Sequence, residues 1–237
     1  KAFIFENVRG LLSARWTKNG VKGEIFKDVL KQFSKLKNYN YDYSLVQSKD
    51  YGVPQNRPRV LVIGIRKDIK SKINKEDLFP NKDISYPHLE ELFSDLIDKK
   101  YNKNFVTNSY LSDPKTKIQK ILRIKKSGKS FLKKGDKLTD QEYSKHSPNI
   151  VKKFKSMLDN DGVIKDKFKT KKFAQRLLNK KWNGKGPNIT ATSLPDDYVH
   201  YSQPRSLTVR EWARLQMFPD WYQFKGKRTT GGLRRAG

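Results

Sequence analysis

Three side chains in the first quarter of the chain have the types and spacing for acid–base and electrostatic chemistry. Glu6 follows the apolar run of residues 2–5, and Arg57 and Arg59 precede the apolar run of residues 60–65. Side chains two apart in extended chain share a face, and two guanidinium groups held there can grip a phosphate or a carbonyl oxygen. A carboxyl group at a strand end is partly desolvated and can hold or donate a proton. If the two strands are neighbours, the arginines could also pair with Glu6 and orient it.

Each of these residues also has an ordinary structural explanation. A glutamate at a strand end commonly caps a neighbouring helix, and arginines at the start of a strand are commonly surface residues. Pro58 removes a backbone donor between the two arginines and stiffens the approach to the strand. Asn7 can fix the loop after the first strand through hydrogen bonds. The residues by themselves leave both interpretations open.

The elements around these residues predict part of an α/β layer. Residues 2–5 and 60–65 are apolar runs typical of buried strands, and residues 41–47 alternate as a strand does. Between them, apolar residues at near-helical spacing predict a helix over residues 20–36, with Asn19 as its N-cap. A strand, a helix and two strands in succession favour the α/β fold class.

The chain changes character at about residue 99. Residues 99–181 carry 25 Lys and Arg against 7 Asp and Glu, and glycines and prolines interrupt a weak hydrophobic periodicity. This pattern predicts a separate, basic, loop-rich module, preceded by a short helix over residues 87–97.

A regular element returns after this basic stretch. The sequence "SLTVREWARLQMF" predicts a helix with a capping box of Thr208 and Glu211. Trp212, Leu215 and Met217 can form its buried side, and Pro219 ends it. On the residues alone, the helix could also be merely amphipathic, with Arg210 and Arg214 on a polar side and no chemistry.

Composition restricts the class of protein. The net charge of +28 attracts polyanions, so nucleic acid is the default partner, although the lysines could also be merely solvated. There is no cysteine, so the chain has no disulfide, thiolate zinc site or cysteine nucleophile, and its three histidines are too scattered for a metal cluster. No signal peptide or membrane span is recognisable. Without an initiating methionine, the sequence is interpreted as an internal fragment of a longer protein.

Three motifs occur in the order typical of one enzyme family. "ENVRGLL" at residue 6, "YGVPQNRPR" at residue 51 and "RSLTVREWARLQMFPDW" at residue 205 resemble the ENV, QxRxR and RxLTxRExxRLQxFP motifs of DNA cytosine-5 methyltransferases. The chain is similar to the second half of such an enzyme of the bacterial restriction–modification type. The resemblance implies a Rossmann-like sheet in the catalytic domain and a separate target recognition domain. The division then expected is residues 1–70 for the second half of the catalytic domain, 71–192 for the recognition domain and 193–237 for a segment returning to the catalytic domain.

The resemblance also implies a mechanism and roles for residues. The target cytosine leaves the duplex, a cysteine attacks its ring, and S-adenosylmethionine supplies the methyl group for carbon 5, without a metal ion. Glu6 would contact the ring nitrogen and amino group and stabilise charge on the ring. Arg59 would donate to the cytosine carbonyl oxygen, and Arg57 would brace Glu6 or a backbone phosphate.

Further residues would contact double-stranded DNA or serve as structural anchors. The stretch "WNGKGPNITATS" is similar to the end of the family's recognition domain, and its glycines would let a loop approach the groove closely. The expected DNA contacts are Gln55, Gly184, Gly186, Thr190 and Thr192. The expected structural residues are Asn7, Arg205, Arg210 and Glu211.

The chain departs from the family in three segments. The Pro-Cys nucleophile loop and the Gly-rich cofactor segment lie before the ENV motif in the family, and neither is present here; the closing Asn-containing motif is also missing. The chain alone is therefore expected to be inactive and to bind S-adenosylmethionine poorly, but to bind duplex DNA. Its expected partner is the missing N-terminal half, in the same or a separate chain, in the cytoplasm of a prokaryotic cell.

Three interpretations of the function stay open. The chain can be a piece of an ordinary modification methyltransferase, a natural subunit of a split enzyme, or a protein of another class. That other class would be a non-catalytic DNA-binding module or a restriction nuclease. Asp196 and Asp197 lack a convincing Glu-x-Lys partner on a strand, so the nuclease is the least favoured.

Overall fold

A computed structural model of the chain describes residues 1–69, 78–79, 81–82, 87–170, 175–181, 187, 189 and 198–225. The chain divides into two compact units, the first made of residues 1–52 and 56–85 and the second of residues 53–55 and 86–237. Six residues singled out above lie outside the described residues: Gly184, Gly186, Thr190, Thr192, Asp196 and Asp197.

The first unit is built on a three-stranded antiparallel sheet. Its strands are β1 (Ala2–Val8), β2 (Tyr39–Gln47) and β3 (Pro58–Arg66), in the order β1-β3-β2. All three were predicted, because apolar runs and alternation are direct signals of strands. The strand with the longest continuous apolar run, β3, lies in the centre and hydrogen-bonds to both neighbours. Pro58 is its first residue, where a missing backbone donor is tolerated.

One helix, α1 (Glu24–Ser34), covers one face of this sheet. The predicted helix is confirmed, but it begins later than expected and its N-cap is Gly23, so the assignment of Asn19 is wrong. Gly23 has a φ of 84°, a left-handed conformation that glycine adopts without strain. The side chain of Glu24 turns back to accept hydrogen bonds from the N–H groups of Trp16 at 2.6 Å and Val21 at 3.1 Å. These bonds hold residues 16–23 in turns and not in a helix.

Aromatic rings fill the layer between α1 and the sheet. Phe3 of β1 stacks on Phe33 of α1 with ring centroids 5.1 Å apart, and both surround the buried residues Phe26, Val60 and Val62. Phe3 lies opposite Gly64 in the register of β1 and β3. A Cβ atom at Gly64 would collide with the Phe3 ring. The absence of a side chain at this position therefore makes room for the stacked ring.

The regular elements in the described part of the second unit are mostly helices, joined by irregular segments. It contains α2 (Leu89–Phe93), α3 (Tyr101–Asn104), α4 (Lys117–Leu122), α5 (Pro148–Leu158), α6 (Val209–Leu215) and a two-stranded parallel sheet of β4 (Arg176–Leu177) and β5 (Tyr198–Val199). The short helix predicted over residues 87–97 is confirmed as α2. The helices α3, α4 and α5 lie in the stretch that was expected to be loop-rich.

The core of the second unit joins elements far apart in sequence. Helices α2, α4 and α6 contribute to one cluster of buried apolar residues, which includes Leu89, Leu92, Phe93, Leu122, Trp212 and Leu215. None of the described helices has the length and apolar character that crossing a membrane requires.

Helix α6 has the predicted start but a different end. The N–H of Glu211 donates to Thr208 Oγ1 at 3.1 Å and the N–H of Thr208 donates to Glu211 Oε2 at 2.9 Å, so the capping box is confirmed. The helix ends at Leu215, before Pro219, because Met217 takes a left-handed φ of 61°. The prediction that Pro219 ends the helix is therefore wrong.

The contact between Phe3 and Gly64 leads to a test of the fold. We expect Gly64→Ala to lower the free energy of unfolding by about 1–3 kcal/mol, because the methyl group forces the Phe3 ring off its place on Phe33. Urea unfolding followed by circular dichroism measures this change. Gly10→Ala is the matched control, since its Cβ would meet only Val8 Cγ2, at 3.9 Å. Equal stability of the two variants would contradict this account of the sheet.

Candidate functional site

The face of the sheet opposite α1 carries Glu6 and Arg59, two of the three residues that were predicted to do chemistry. In the register of β1 and β3, Glu6 lies opposite Leu61 and Val8 lies opposite Arg59. Directly opposed residues of an antiparallel pair project to the same face, and residues two apart along a strand do so as well. Glu6 and Arg59 are therefore diagonal neighbours on one face. Phe3 and Phe5 project from β1 to the other face, toward α1.

Glu6 and Arg59 form an ion pair on this face. Arg59 Nε donates to Glu6 Oε1 at 2.8 Å, and Arg59 Nη1 donates to the carbonyl oxygen of Pro58 at 2.8 Å. Two hydrogen bonds on different nitrogens fix the plane of the guanidinium group. No hydrogen bond from Arg59 Nη2 to any described residue is present, so this nitrogen can donate to a bound molecule.

The exposure of the pair differs from expectation. The side chain of Glu6 is 58% exposed and that of Arg59 is 21% exposed, so the expected desolvation of the Glu6 carboxyl group is wrong for this chain. The reason is that the strand end lies at an open sheet face. An ion pair in contact with water contributes at most about 1 kcal/mol to stability. The contribution of the pair to stability is therefore too small to explain why Glu6 and Arg59 are placed together.

Apolar side chains surround the ion pair on the same face. Ile4 is 70% exposed and Val8 is 53% exposed, both on β1. Exposed apolar residues that cluster on one face can mark a binding surface.

Three other predicted residues have local hydrogen bonds. Asn7 Oδ1 accepts from the N–H of Val8 at 2.8 Å. The N–H of Arg57 donates to Ser48 Oγ at 3.2 Å, which ties the chain before β3 to the end of β2. Gln55 is buried, and its N–H donates to the carbonyl oxygen of Val53 at 2.7 Å. The roles predicted for Arg57 and Gln55 stay predictions.

Arg205 and Glu211, predicted as structural residues, form a buried pair in the second unit. Arg205 Nη1 and Nη2 donate to the two carboxylate oxygens of Glu211 at 2.8 and 2.7 Å. Both side chains are almost completely buried. Burial by itself would raise the pKa of Glu211, but the charge and hydrogen bonds of Arg205 outweigh it and lower the pKa to about 2.

Arg214 is the centre of a larger buried network. It donates from Nη1 to Asp95 at 2.6 Å and from Nη2 to Asp220 at 2.6 Å, and all three side chains are fully buried. Arg123 also pairs with Asp95, at 3.2 Å. The hydroxyl of Tyr110 donates to Asp220 at 2.6 Å. Through charged side chains, the network thus connects α6 to the residues that directly follow α2 and α4.

Arg210 lies one helical turn before Arg214 on α6 and binds a different set of partners. Its Nη2 donates to Asp140 at 2.9 Å, to Thr139 Oγ1 at 2.9 Å and to the carbonyl oxygen of Tyr222 at 2.7 Å. The alternative interpretation of this helix, as amphipathic with Arg210 and Arg214 on a polar side, is wrong, because both arginines are fully buried. Two of the carboxylates that bind them, Asp95 and Asp140, come from distant parts of the chain, so helical periodicity could not reveal this. Every residue of the helix after Val209 is buried.

Among the described residues, no group of three or more histidine, aspartate or glutamate side chains lies together in a way that could hold a metal ion.

A sheet that presents an acid–arginine pair, with a basic second unit, agrees with what the sequence comparisons show. The sequence model of the C-5 cytosine-specific DNA methylases matches residues 1–237, so the chain belongs to this family. Methyltransferases of the family use S-adenosylmethionine and act on DNA.

Individual relatives agree with this assignment. The chain is 29% identical to the type II methyltransferase M.DdeI of Desulfomicrobium norvegicum, over 97% of this chain and 55% of the relative. It is 28% identical to M.XorII of Xanthomonas oryzae pv. oryzae, over 98% of this chain and 53% of the relative. With M.FnuDI of Fusobacterium nucleatum it shares 38% identity over 98 residues, 41% of this chain and 26% of that protein. The chain thus spans about half the length of the first two relatives.

One solved structure supports the fold. A prophage-encoded protein of E. coli, described as a DNA modification methyltransferase, matches with a TM-score of 0.64 and 22% identity, over 94% of this chain and 60% of that chain. The chain therefore has a mixed α/β fold that resembles a DNA methyltransferase, and the α/β class was predicted correctly.

A buried histidine beside Glu211 makes the second unit sensitive to pH. His200 Nε2 lies 3.7 Å from Glu211 Oε1, and both side chains are fully buried. Burial, and then the charge of Arg205, lower the pKa of His200 to about 3, although Glu211 opposes this. The unfolded chain binds a proton at this histidine below its ordinary pKa of 6.5, whereas the folded chain does so only near pH 3. Stability contributed by neutral His200 is therefore lost as pH falls through this window.

We expect the free energy of unfolding to fall by about 2 kcal/mol between pH 7 and pH 5 through His200 alone. His200→Gln should flatten this slope, because glutamine takes up no proton when the chain unfolds. Urea unfolding across the pH series measures the slope for each variant. The wild-type slope in His200→Gln would contradict the role of His200.

Proposed function

We propose that this chain supplies the base-binding part of the active site and the DNA recognition part of a site-specific DNA cytosine-5 methyltransferase. The enzyme transfers a methyl group from S-adenosylmethionine to carbon 5 of a cytosine flipped out of the duplex. The observation that supports this most directly is the ion pair of Glu6 and Arg59, 2.8 Å apart on an open sheet face. Its two members come from two of the three motifs that the family shares.

The pair is chemically complementary to one edge of cytosine. That edge presents an amino group that donates hydrogen bonds and, two ring positions away, a carbonyl oxygen that accepts them. The Glu6 carboxyl group would bind the amino group and the ring nitrogen between these two positions. Arg59 would donate to the carbonyl oxygen, and its Nη2 is the nitrogen that has no described partner. Two hydrogen-bonded strands hold both groups, which gives the geometry the rigidity that a reacting base requires.

The same groups would stabilise the charge that develops during the reaction. Attack of a nucleophile on the ring of cytosine moves electron density toward the ring nitrogen and the carbonyl oxygen. A guanidinium group already aimed at that oxygen stabilises the charge without reorganising. Arg57 would brace Glu6 or bind a backbone phosphate.

The nucleophile lies outside these residues. The 237 residues contain no cysteine, so we propose that another segment, in the same or a separate polypeptide, provides the nucleophilic cysteine. That segment would correspond to the N-terminal half of the methyltransferase domain. The coverage of only about half of the relatives' length supports this proposal. The chain alone would then not methylate DNA.

The described residues do not fit the cofactor well. The link after β1 is a 3₁₀ turn, Arg9–Ser13, and not a glycine-rich loop that opens a helix, which is the usual cradle for a nucleotide. We therefore assign no residue of this chain to S-adenosylmethionine and derive no step through it.

The second unit would be the target recognition domain. Its described part includes most of the basic stretch of residues 99–181, which suits binding to the phosphates of double-stranded DNA. Gln55, Gly184, Gly186, Thr190 and Thr192 remain the proposed DNA contacts. The extents proposed from the sequence are 71–192 for this domain and 193–237 for the following segment. Because residues 198–225 belong to the second unit, we propose that they hold the recognition domain together through Arg205, Arg210 and Arg214.

The family match does not favour a restriction nuclease or a module without a role in catalysis. The enzyme would act where prokaryotic DNA is found, in the cytoplasm, and belong to a restriction–modification system.

The proposed role of Arg59 is tested in the complete enzyme, which includes the nucleophilic cysteine and the cofactor site. We expect Arg59→Ala to reduce methyl transfer by about 10²- to 10³-fold, because it removes a donor to the charged oxygen. Duplex affinity, measured by fluorescence anisotropy, should stay nearly unchanged, since DNA is bound mainly by other residues. The control is Arg66→Ala at the other end of β3, where the arginine pairs with Asp68. Equal losses of methylation and binding in Arg59→Ala would contradict its role at the base.

The proposed DNA binding is tested on the chain as it is. We expect its affinity for duplex DNA to fall by about 10³- to 10⁵-fold between about 50 and 200 mM salt, since lysine–phosphate contacts release counterions. Fluorescence anisotropy with a labelled duplex over a salt series measures the slope. A flat response would mean that the lysines of residues 99–181 face away from DNA.

A further inference from the structure

Lysines and exposed apolar residues meet on a surface of the second unit. Residues 115–137 contain nine lysines and one buried arginine against a single aspartate. The lysines are Lys115, Lys117, Lys120, Lys125, Lys126, Lys129, Lys133, Lys134 and Lys137. Two turns in this segment, at Gly128 and Gly135, face solvent. A Cβ atom placed at either glycine would meet no other atom within 4 Å.

The first of these turns is the tip of a short hairpin. Ile124 and Phe131 form an antiparallel bridge. The N–H of Lys125 donates to the carbonyl oxygen of Ser130 at 2.7 Å, and the N–H of Leu132 donates to the carbonyl oxygen of Arg123 at 2.7 Å. The tip, residues 126–129, consists of two lysines, a serine and a glycine. We call residues 121–137 the lysine hairpin.

The two faces of the lysine hairpin differ. Arg123 is fully buried and Leu132 packs against the cluster of Leu96, Tyr110 and Leu138, so this face looks into the unit. Ile124, on the opposite face, is 38% exposed. Ile121, one turn earlier at the end of α4, is 52% exposed. The outer face thus carries two adjacent isoleucines with exposed lysines at both ends.

We propose that the lysine hairpin enters the major groove of duplex DNA, with Lys126 and Lys129 on phosphates and Ile121 and Ile124 against thymine methyl groups. This inference rests on the proposed function, since it takes DNA as the substrate, and it names the element and residues that read the DNA. A two-stranded ribbon fits the major groove, and the C5 methyl group of thymine projects only there. The minor groove is about half as wide.

The shape and charge of the surface favour DNA over a membrane. A surface that inserts into lipid carries bulky apolar or aromatic residues at its most protruding point. Here the protruding point carries Ser127 and Gly128 between lysines, and the isoleucines lie lower, at the base of the hairpin. A narrow, charged tip with apolar residues behind it suits a groove lined by phosphates.

The lysine contacts are tested with a double variant of the 237-residue chain. We expect Lys126→Gln/Lys129→Gln to bind a duplex pool of random sequence about tenfold more weakly at physiological salt, and to lower the slope of log affinity against log salt by about 2. Fluorescence anisotropy over a NaCl series measures both. The matched control is Lys152→Gln/Lys155→Gln on α5, which removes the same charge from exposed positions of the same unit. An equal or larger loss in the control would overturn the assignment of this surface.

The isoleucine contacts are tested by removing the methyl groups from the DNA. We expect the wild-type chain to bind a random-sequence duplex pool made with deoxyuridine about three- to fivefold more weakly than the same pool made with thymidine, because an apolar contact is lost. Ile124→Ser, which leaves only Ile121 against the methyl groups, should reduce this difference between the two pools and keep the wild-type salt slope. Ile124 is exposed at the surface, so the variant is expected to fold, and its thermal unfolding checks this.

The remaining outcomes separate this inference from the proposed function. Equal binding of both pools by the wild-type chain would overturn the isoleucine contacts but leave DNA binding intact. Absence of salt-dependent binding to either pool would overturn DNA binding itself, and the inference with it. Binding to phosphatidylglycerol vesicles that depends on Ile124 and that duplex DNA does not displace would identify the surface as a membrane site and overturn the proposal.

Discussion

The antiparallel pairing of β1 with β3 is the constraint on which the candidate site depends. Side chains alternate between the two faces of a strand, so a slip of one residue would turn Glu6 toward α1 and away from Arg59. The stacked ring of Phe3 opposes such a slip, because it fits only where the facing strand has a glycine, at Gly64. A packing contact on the α1 face thus sets the register that brings two charged groups together on the other face.

The second unit uses arginine and lysine for different purposes. Arg123, Arg205, Arg210 and Arg214 are fully or almost fully buried, each bound to carboxylates, whereas most described lysines are exposed. A planar guanidinium group can bind two carboxylates in fixed directions, and it is less strongly hydrated than an ammonium group. Removing one partner of such a pair would leave a buried charge and cost about 3–5 kcal/mol. The arginines therefore define how distant segments assemble, and the lysines provide the field outside.

The fold could be predicted from sequence where the signal is local. The three strands and α2 were correct because apolar runs and spacing reflect burial directly. The N-cap of α1 was missed, because the left-handed turn at Gly23 depends on the side chain of Glu24 bonding back to Trp16. The buried state of Arg214 was missed for a similar reason: one of its carboxylates, Asp95, lies more than a hundred residues away in sequence. Periodicity assigns charged positions to solvent and carries no information on such partners.

The candidate site could also be predicted only in part, and the reason differs from the one that applies to the fold. The motifs identified Glu6 and Arg59 as chemically important, and the sheet brings them together. Their exposure was not predictable, because it depends on what covers this face of the sheet. Several predicted DNA contacts lie outside the described residues, so their positions stay predictions.

The exposure of the ion pair bears on how the proposed enzyme would work. A guanidinium group in water is screened, and its effect on a developing charge is small; the same group in a site closed to water acts much more strongly. Glu6 is 58% exposed here, and apolar residues such as Ile4 surround it. Under the proposed function, the segment that brings the cysteine and the flipped base would together cover this face. Covering the face would remove water from the pair and bury its apolar surroundings at the same time. Assembly of the site and its electrostatic activation would then be a single event, which would restrict the chemistry to the complete, DNA-bound enzyme.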